Sequence, residues 1–70
     1  MKPITKKQAA ALDFITNYLN THPYAPSLKE IADGLGVKSA STAKALTDQL
    51  ARKGFIAYEP EIHRSIRVTK

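Results

Sequence analysis

The chain has 70 residues, no cysteine, and eleven Lys and Arg against six Asp and Glu, so its formal net charge is +5 at pH 7. A chain of this length is expected to form one domain with a small core, since it buries only about 60% of the surface that its unfolded form exposes. The lack of cysteine excludes disulfide frameworks and thiolate metal sites, and no apolar run approaches the ~18 residues of a membrane span. The positive charge is typical of a domain that meets a polyanion, although solubility alone also explains it.

The first predicted element is a helix over residues 6–20. Thr5 and Gln8 have the spacing of a capping box, in which each side chain bonds to the backbone N–H of the other residue. An apolar stripe follows at helical spacing and consists of Leu12, Ile15 and Leu19. Pro23 and Pro26 then bias the residues before them toward extended backbone, so the helix must end before this loop.

The second helix, predicted over residues 28–35, has a signal at each end. Ser27 and Glu30 repeat the capping-box spacing, and Gly36 can take the positive φ that ends a helix. The apolar stripe of this helix consists of Leu28, Ile31, Ala32 and Leu35. The next helix must begin almost at once, which is the arrangement of a helix-turn-helix.

The third helix is predicted over residues 41–53, with either Ser39 or Ser41 as its N-cap and Gly54 after its end. Its core-facing stripe consists of Ala43, Leu46 and Leu50, and its opposite face of Ser41, Ala45, Asp48 and Arg52. Thr47 lies near the buried stripe, where its hydroxyl is costly unless it bonds to a carbonyl one turn earlier, as Thr can. The small side chains of the outer face allow close approach to another macromolecule, and the DNA major groove, about 12 Å wide, admits a helix.

Two β-prone runs, at about 55–58 and 65–69, follow the third helix and are separated by a polar segment at 59–63 that contains Pro60. They predict a two-stranded antiparallel hairpin, or wing. The predicted fold class is therefore mainly α with a small β-hairpin: a winged helix-turn-helix with three helices.

The order of motifs resembles a known family. The segments that carry the resemblance are Thr5–Gln8, Leu12–Ile15, Tyr24–Ser27, Glu30–Ala32, Leu35–Gly36, Ser39 and Leu50–Ile56, with Pro60, Arg64, Ile66 and Val68 in the wing. In order and almost without gaps, they resemble the N-terminal DNA-binding domain of LexA repressors. The resemblance implies a winged helix-turn-helix that binds palindromic operators and represses transcription. Because LexA repressors also carry a self-cleaving Ser-Lys protease domain that dimerises, we expect this chain to be an isolated domain or a stand-alone regulator.

The resemblance places one group of residues at base edges: Ser39, Ser41, Thr42, Lys44 and Ala45. Ser39 matches the family, whereas the other four positions carry different side chains, so the operator need not be the same. Lys44 can donate to guanine, and the Thr42 methyl group can contact a thymine methyl. Without the resemblance, the same face is equally well explained as a solvated helix surface.

A second group resembles or adjoins phosphate-facing positions: Lys7, Ser27, Lys29, Lys38, Lys53 and Arg64. A helix N-terminus offers free N–H groups to an anion, and such contacts position a protein on the duplex. Arg64 and Arg67 have an alternative interpretation as charges that discourage pairing between strand edges. Asp48 is expected beyond the groove, because only the N-terminal half of a recognition helix usually reaches the bases.

These patterns predict a sequence-specific regulator of transcription that binds double-stranded DNA in the cytoplasm, at the nucleoid, with two copies meeting on DNA as a weak homodimer. The alternative is a winged helix that docks on a host repressor or polymerase. RNA binding is disfavoured, because few aromatic residues are available to stack on bases.

No enzyme, cofactor or metal site is expected. His22 and His63 are far apart in the sequence and lack acidic neighbours at ligand spacing. No nucleophile has a base beside it, and a domain of this size has little room for a catalytic cleft.

Overall fold

The computed structural model describes residues 4–59, 62 and 64–69. Its elements are three helices, α1 (Lys6–Thr21), α2 (Leu28–Leu35) and α3 (Ala40–Arg52), followed by two strands, β1 (Ile56–Ala57) and β2 (Arg67–Val68). The strands pair antiparallel, with Ile56 opposite Val68 and Ala57 opposite Arg67. The predicted fold class, mainly helical with a small antiparallel wing, is confirmed.

Both predicted capping boxes are present. The Gln8 N–H donates to Thr5 Oγ1 over 3.1 Å, and the Thr5 N–H donates to Gln8 Oε1 over 3.0 Å. Ser27 and Glu30 make the same pair of bonds, over 3.1 and 2.8 Å, at the start of α2. Each box supplies partners for N–H groups that the first turn of a helix leaves unpaired.

The turn between α2 and α3 has only four residues, 36–39. Gly36 has φ 72°, a left-handed conformation that a side chain disfavours. The Val37 N–H donates to the Ala32 carbonyl over 3.0 Å and the Gly36 N–H to the Asp33 carbonyl over 3.2 Å, which together form a Schellman motif. This turn sets the direction in which α3 leaves α2.

Helix α3 starts at Ala40, one residue before the predicted bound, because Ser39 rather than Ser41 is its N-cap. Ser39 Oγ accepts the Ser41 N–H over 3.0 Å. The helix ends at Arg52, with Lys53 as its C-cap, and Gly54 follows with φ 82°.

The strands are shorter than the predicted runs at 55–58 and 65–69. Beyond Ala57, a side chain replaces the ladder: Ser65 Oγ accepts the Glu59 N–H over 2.8 Å and donates to the Glu59 carbonyl over 2.9 Å. At the other end, the Thr69 N–H donates to the Phe55 carbonyl over 2.9 Å. The predicted tip residues Pro60, Glu61 and His63 lie outside the described residues.

The three helices pack against one another, and β1 packs against α3. The buried apolar residues are Ala11, Ile15, Ala25, Ile31, Ala32, Ala43, Leu46, Leu50, Ile56 and Ile66. Other members of the predicted stripes are only partly buried at the margin of this core, namely Leu12, Leu19, Leu28 and Leu35. A small domain cannot cover the full width of each apolar stripe.

Thr47 is fully buried in α3, with 0% of its surface exposed. Its Oγ1 donates to the Ala43 carbonyl over 2.8 Å. The predicted bond to a carbonyl one turn earlier is therefore confirmed, and it removes most of the cost of burying a hydroxyl.

We expect Thr47→Val to change the free energy of unfolding by less than about 1 kcal/mol, because the Ala43 carbonyl keeps its helical N–H partner and the shape of the side chain is preserved. Thr47→Ala removes a methyl group as well and should lower that free energy by about 1–2 kcal/mol. Urea titrations of the two variants provide the measurement. A Val variant that is less stable than the Ala variant would contradict the hydrogen-bonding argument.

Candidate nucleic-acid interface

The N-terminal half of α3 has one buried and one exposed side. The buried side of the helix consists of Ala43, Leu46, Thr47 and Leu50. All five residues predicted to read bases are exposed, namely Ser39, Ser41, Thr42, Lys44 and Ala45. The structure therefore leaves this face open, and of its five side chains only that of Lys44 is charged or long.

Lys44 forms an ion pair on this helix that the sequence interpretation missed. Its Nζ lies 3.0 Å from Asp48 Oδ2, and the two side chains are 51% and 33% exposed. The hydroxyl of Tyr58, just after β1, donates to the other carboxylate oxygen, Oδ1. The four-residue spacing of Lys44 and Asp48 is a sequence signal for such a pair, whereas nothing in the sequence indicates the bond from Tyr58.

Three of the predicted backbone contacts are exposed lysines. Lys7 lies in the first turn of α1, Lys29 in the first turn of α2, and Lys38 in the turn before α3. Ser27 is half-buried, and its hydroxyl accepts the Glu30 N–H in the capping box. A phosphate contact by Ser27 would be additional to that structural role.

Lys53, another predicted backbone contact, is half-buried and bonded within the chain. Its Nζ donates to Gln8 Oε1 over 2.6 Å. The amide nitrogen of Gln8 in turn donates to Gln49 Oε1 over 2.6 Å. Lys53 therefore ties the end of α3 to the start of α1.

Arg64, also predicted as a backbone contact, is half-buried and bonded within the chain. Its Nη1 donates to Glu30 Oε1 over 2.7 Å and its Nη2 to Glu30 Oε2 over 3.2 Å, a bidentate pair. Nη1 also lies 3.0 Å from the Ala25 carbonyl. The guanidinium is directed into the domain because this carboxylate and carbonyl match its planar set of donors.

We call this arrangement the Arg64 clasp: Arg64 with Glu30, the Ala25 carbonyl, Tyr18 and Tyr24. The Tyr18 hydroxyl donates to Glu30 Oε2 over 3.1 Å, and the guanidinium carbon lies 4.7 Å from the centre of the Tyr24 ring. The clasp joins the wing to α1, α2 and the loop between them. It therefore sets where the wing lies relative to the helices.

The clasp changes the acidity of its members. Hydrogen bonding from Arg64, with help from the Ser27 N–H, lowers the pKa of Glu30 from 4.5 to about 2. The same bond raises the pKa of Arg64, and burial raises the pKa of Tyr18. At neutral pH, the Glu30 and Arg64 side chains are therefore fully charged.

An open groove of about 580 Å³ separates the start of α2 from the wing. Its lining includes Ser27, Lys29, Ile62 and Arg64. The wing and the first turn of α2 thus border the same depression.

Among the described residues, no three His, Cys, Asp or Glu side chains come together as metal ligands. In the same part of the chain, none of the helices has the length and apolarity to cross a bilayer. Of the two histidines considered as metal ligands, His63 lies outside the described residues. His22 stacks on the Tyr18 ring with 3.9 Å between ring centres.

The clasp predicts a loss of stability in acid. Because the folded-state pKa of Glu30 is depressed, its contribution is present above pH 4.5 and is lost as the pH falls toward about 2. We expect Glu30→Gln to flatten the pH dependence of the free energy of unfolding over that window, as followed by urea titration. Asp13→Asn, at an exposed carboxylate of α1, is the control. Parallel curves for the wild type and Glu30→Gln would show that protonation of Glu30 does not contribute to the loss of stability in acid.

Comparison with known proteins agrees with this geometry. The family described as LexA DNA binding domain matches residues 1–65. A LexA repressor of Shewanella frigidimarina is 43% identical over 97% of this chain and 33% of its own length. A LexA repressor of Pseudomonas aeruginosa is 41% identical over the same shares of the two chains, and one of Pediococcus pentosaceus is 35% identical over 99% of this chain and 33% of its own length.

The chain spans about a third of the length of these curated relatives. The resemblance seen in the sequence is confirmed, since the matched region holds the three helices, the capping boxes and the start of the wing. The chain belongs to the LexA DNA-binding domain family.

Proposed function

We propose that this domain binds double-stranded DNA in a sequence-dependent manner and thereby represses transcription at the nucleoid, with α3 in the major groove and the wing beside the phosphate backbone or in the minor groove. One observation carries the proposal: the N-terminal half of α3 presents an exposed face of small residues, while its opposite side is buried in the core. Membership in the LexA DNA-binding domain family supports it.

The side chains on this face suit direct contact with base edges. Thr42 offers a methyl group for thymine, Lys44 offers a donor for guanine, and Ser41 can donate or accept. Ser39 and Ala45 are small enough to let the helix approach closely. Because a bidentate Arg or Asn is missing from this group, we infer that direct readout is weak and that sequence preference depends on several modest contacts.

Backbone contacts would position the domain. Lys7, Lys29 and Lys38 are exposed at helix starts and at the turn, and the first turn of α2 adds N–H groups that favour an anion. The groove between α2 and the wing leaves space beside Lys29 and the first turn of α2. We assign Arg64 an indirect role, through the position of the wing, and we retain Lys53 and Ser27 as contacts that would add to their bonds within the chain.

The function is tested by a gel-shift titration of the protein with random and operator-selected duplexes. We expect affinity to fall by orders of magnitude between about 50 and 200 mM salt, because binding to several phosphates releases counterions. No binding to any duplex at about 50 mM salt would reject the proposal. Affinity for a protein partner that is insensitive to salt would instead favour the alternative of a protein-docking winged helix.

Two substitutions separate base reading from phosphate contact. Thr42→Ala should reduce the preference for selected over random duplex and leave binding to random duplex unchanged. Lys29→Gln should weaken binding to both duplexes equally and reduce the magnitude of the salt slope by about 1. Fluorescence anisotropy across a salt series provides both numbers. If the two variants behaved alike, the division between α3 and α2 would be wrong.

The operator and the assembly on it are part of the proposal. One domain of this kind buries only about 600–1,000 Å² of protein surface on DNA, so we expect tight binding when two copies occupy the half-sites of a palindrome. A duplex with two half-sites should bind with higher affinity per domain than one with a single half-site. Sedimentation of the free protein should show a monomer, and a stable dimer without DNA would contradict the weak homodimer.

A further inference from the structure

Helix α3 has one carboxylate, that of Asp48, which lies on the side opposite the buried stripe. Asp48 lies one turn after Lys44, and both of its carboxylate oxygens have partners: Lys44 Nζ on Oδ2 and the Tyr58 hydroxyl on Oδ1. Two of the three residues lie on α3 and the third lies just after β1. The carboxylate is therefore held from the helix and from the base of the wing at once.

A lysine on a recognition helix has two ways to bind DNA. It can donate to a base edge, which distinguishes sequences, or to a phosphate, which does not. A free Lys44, on a long flexible stem, would reach whichever phosphate lay nearby. In the pair with Asp48, the ammonium group of Lys44 lies 3.0 Å from Oδ2, so its charge is partly neutralised and the side chain is directed along the helix rather than toward the DNA phosphates.

We propose that Asp48, positioned by Tyr58, determines the specificity of this domain by restraining Lys44 and weakening its contacts with phosphates. The inference rests on the proposed function, since it concerns the same face of α3. Asp48 also repels phosphate directly, so it lowers the affinity for every duplex. A duplex with a base-edge acceptor within reach of the restrained Lys44 gains a contact that other duplexes lack. The preference for such duplexes therefore rises while the overall affinity falls.

Tyr58 makes this restraint a property of the tertiary structure. An exposed i,i+4 ion pair on its own contributes little and exchanges readily with solvent. The Tyr58 hydroxyl comes from outside the helix and gives the Asp48 carboxylate a second anchor, which restricts its rotation. The position of Lys44 is thereby linked to the position of the wing.

The test compares Asp48→Asn with a matched control, Asp13→Asn. Asp13 is an exposed carboxylate on α1, on the side away from the buried Ala11 and Ile15. Both substitutions remove one negative charge. The probes are random duplex and the duplexes recovered by the wild type from a randomised pool, with affinities measured by fluorescence anisotropy.

For Asp48→Asn, we expect affinity for random duplex to rise roughly two- to fivefold, the range of one exposed charge pair, and the preference for selected duplex to fall. The salt slope on random duplex should steepen by about 1, because Lys44 then neutralises a phosphate. Asp13→Asn should affect both duplexes equally and leave the slope unchanged. An equal preference in the two variants would overturn the inference.

Two further variants test whether Asp48 acts together with Tyr58 and through Lys44. Tyr58→Phe keeps the ring and removes the hydroxyl, so it should shift the preference in the same direction as Asp48→Asn, by a smaller factor. The double variant Lys44→Gln with Asp48→Asn is compared with Lys44→Gln alone, and here the substitution of Asp48 should give no gain in affinity for random duplex. A gain that persisted without Lys44 would mean that Asp48 acts only by its own repulsion, and the proposed restraint would be wrong.

The outcome for this inference is separable from that for the function. A wild-type protein that binds no duplex rejects the DNA-binding proposal and the inference with it. A wild-type protein that binds selected duplexes in a salt-dependent way, with a preference that Asp48→Asn does not change, rejects the inference alone. Circular dichroism of each variant confirms that the comparison is made between folded proteins.

Discussion

The bidentate contact between Arg64 and Glu30 is the interaction on which the arrangement of this domain most depends. Each strand has only two residues in the ladder, and an isolated two-stranded hairpin is marginally stable in water. The wing therefore needs a connection to the helices beyond its own hydrogen bonds. Ile56 and Ile66 anchor the wing in the core, and Arg64 adds a polar connection, because one planar guanidinium contacts Glu30 on α2 and the carbonyl of Ala25 in the preceding loop. Since Glu30 is also the second half of the α2 capping box, the residue that orders the start of the helix also holds the wing.

A second polar residue connects the other side of the molecule in a similar way. Gln8 is 5% exposed; its side chain completes the α1 capping box and also contacts Gln49 and Lys53 of the α3 end. Buried polar side chains are acceptable in a small core only when they have partners. In the described part of the chain, every buried side-chain nitrogen and oxygen has one. These bonds complement an apolar core that is limited by the length of the chain. The position of α3 therefore depends on its polar links to Gln8 of α1 as well as on the residues it buries.

In the candidate interface, local sequence explains which small residues of α3 are exposed, but it does not explain the contacts of the charged residues. The exposure of Ser41, Thr42 and Ala45 follows from the helical period, because Leu46 and Leu50 must be buried on the other side. The charged residues are harder to assign from the sequence. The sequence predicts that Lys53 and Arg64 contact phosphate, and in the structure both have partners within the chain. Long cationic side chains reach several groups, so their partner depends on what the fold brings near them. The ion pair of Lys44 with Asp48 is local, but the Tyr58 hydroxyl that also bonds to Asp48 comes from the wing.

Local sequence patterns sufficed to identify the three helices, the N-caps of α1 and α2, the glycine that ends α2, the buried bond of Thr47 and the outer face of α3, whereas they left the N-cap of α3 open between Ser39 and Ser41. These features depend on residues within a turn or two of each other, so spacing and side-chain chemistry suffice to identify them. Three features follow only from how the elements pack: the contact of Arg64 with Glu30, the link from Tyr58 to Asp48, and the shortness of the strands, where Ser65 replaces the ladder. Arg64 and Glu30 are 34 residues apart in the chain. Pairings over such distances depend on the relative positions of whole elements, which no local pattern of residues specifies.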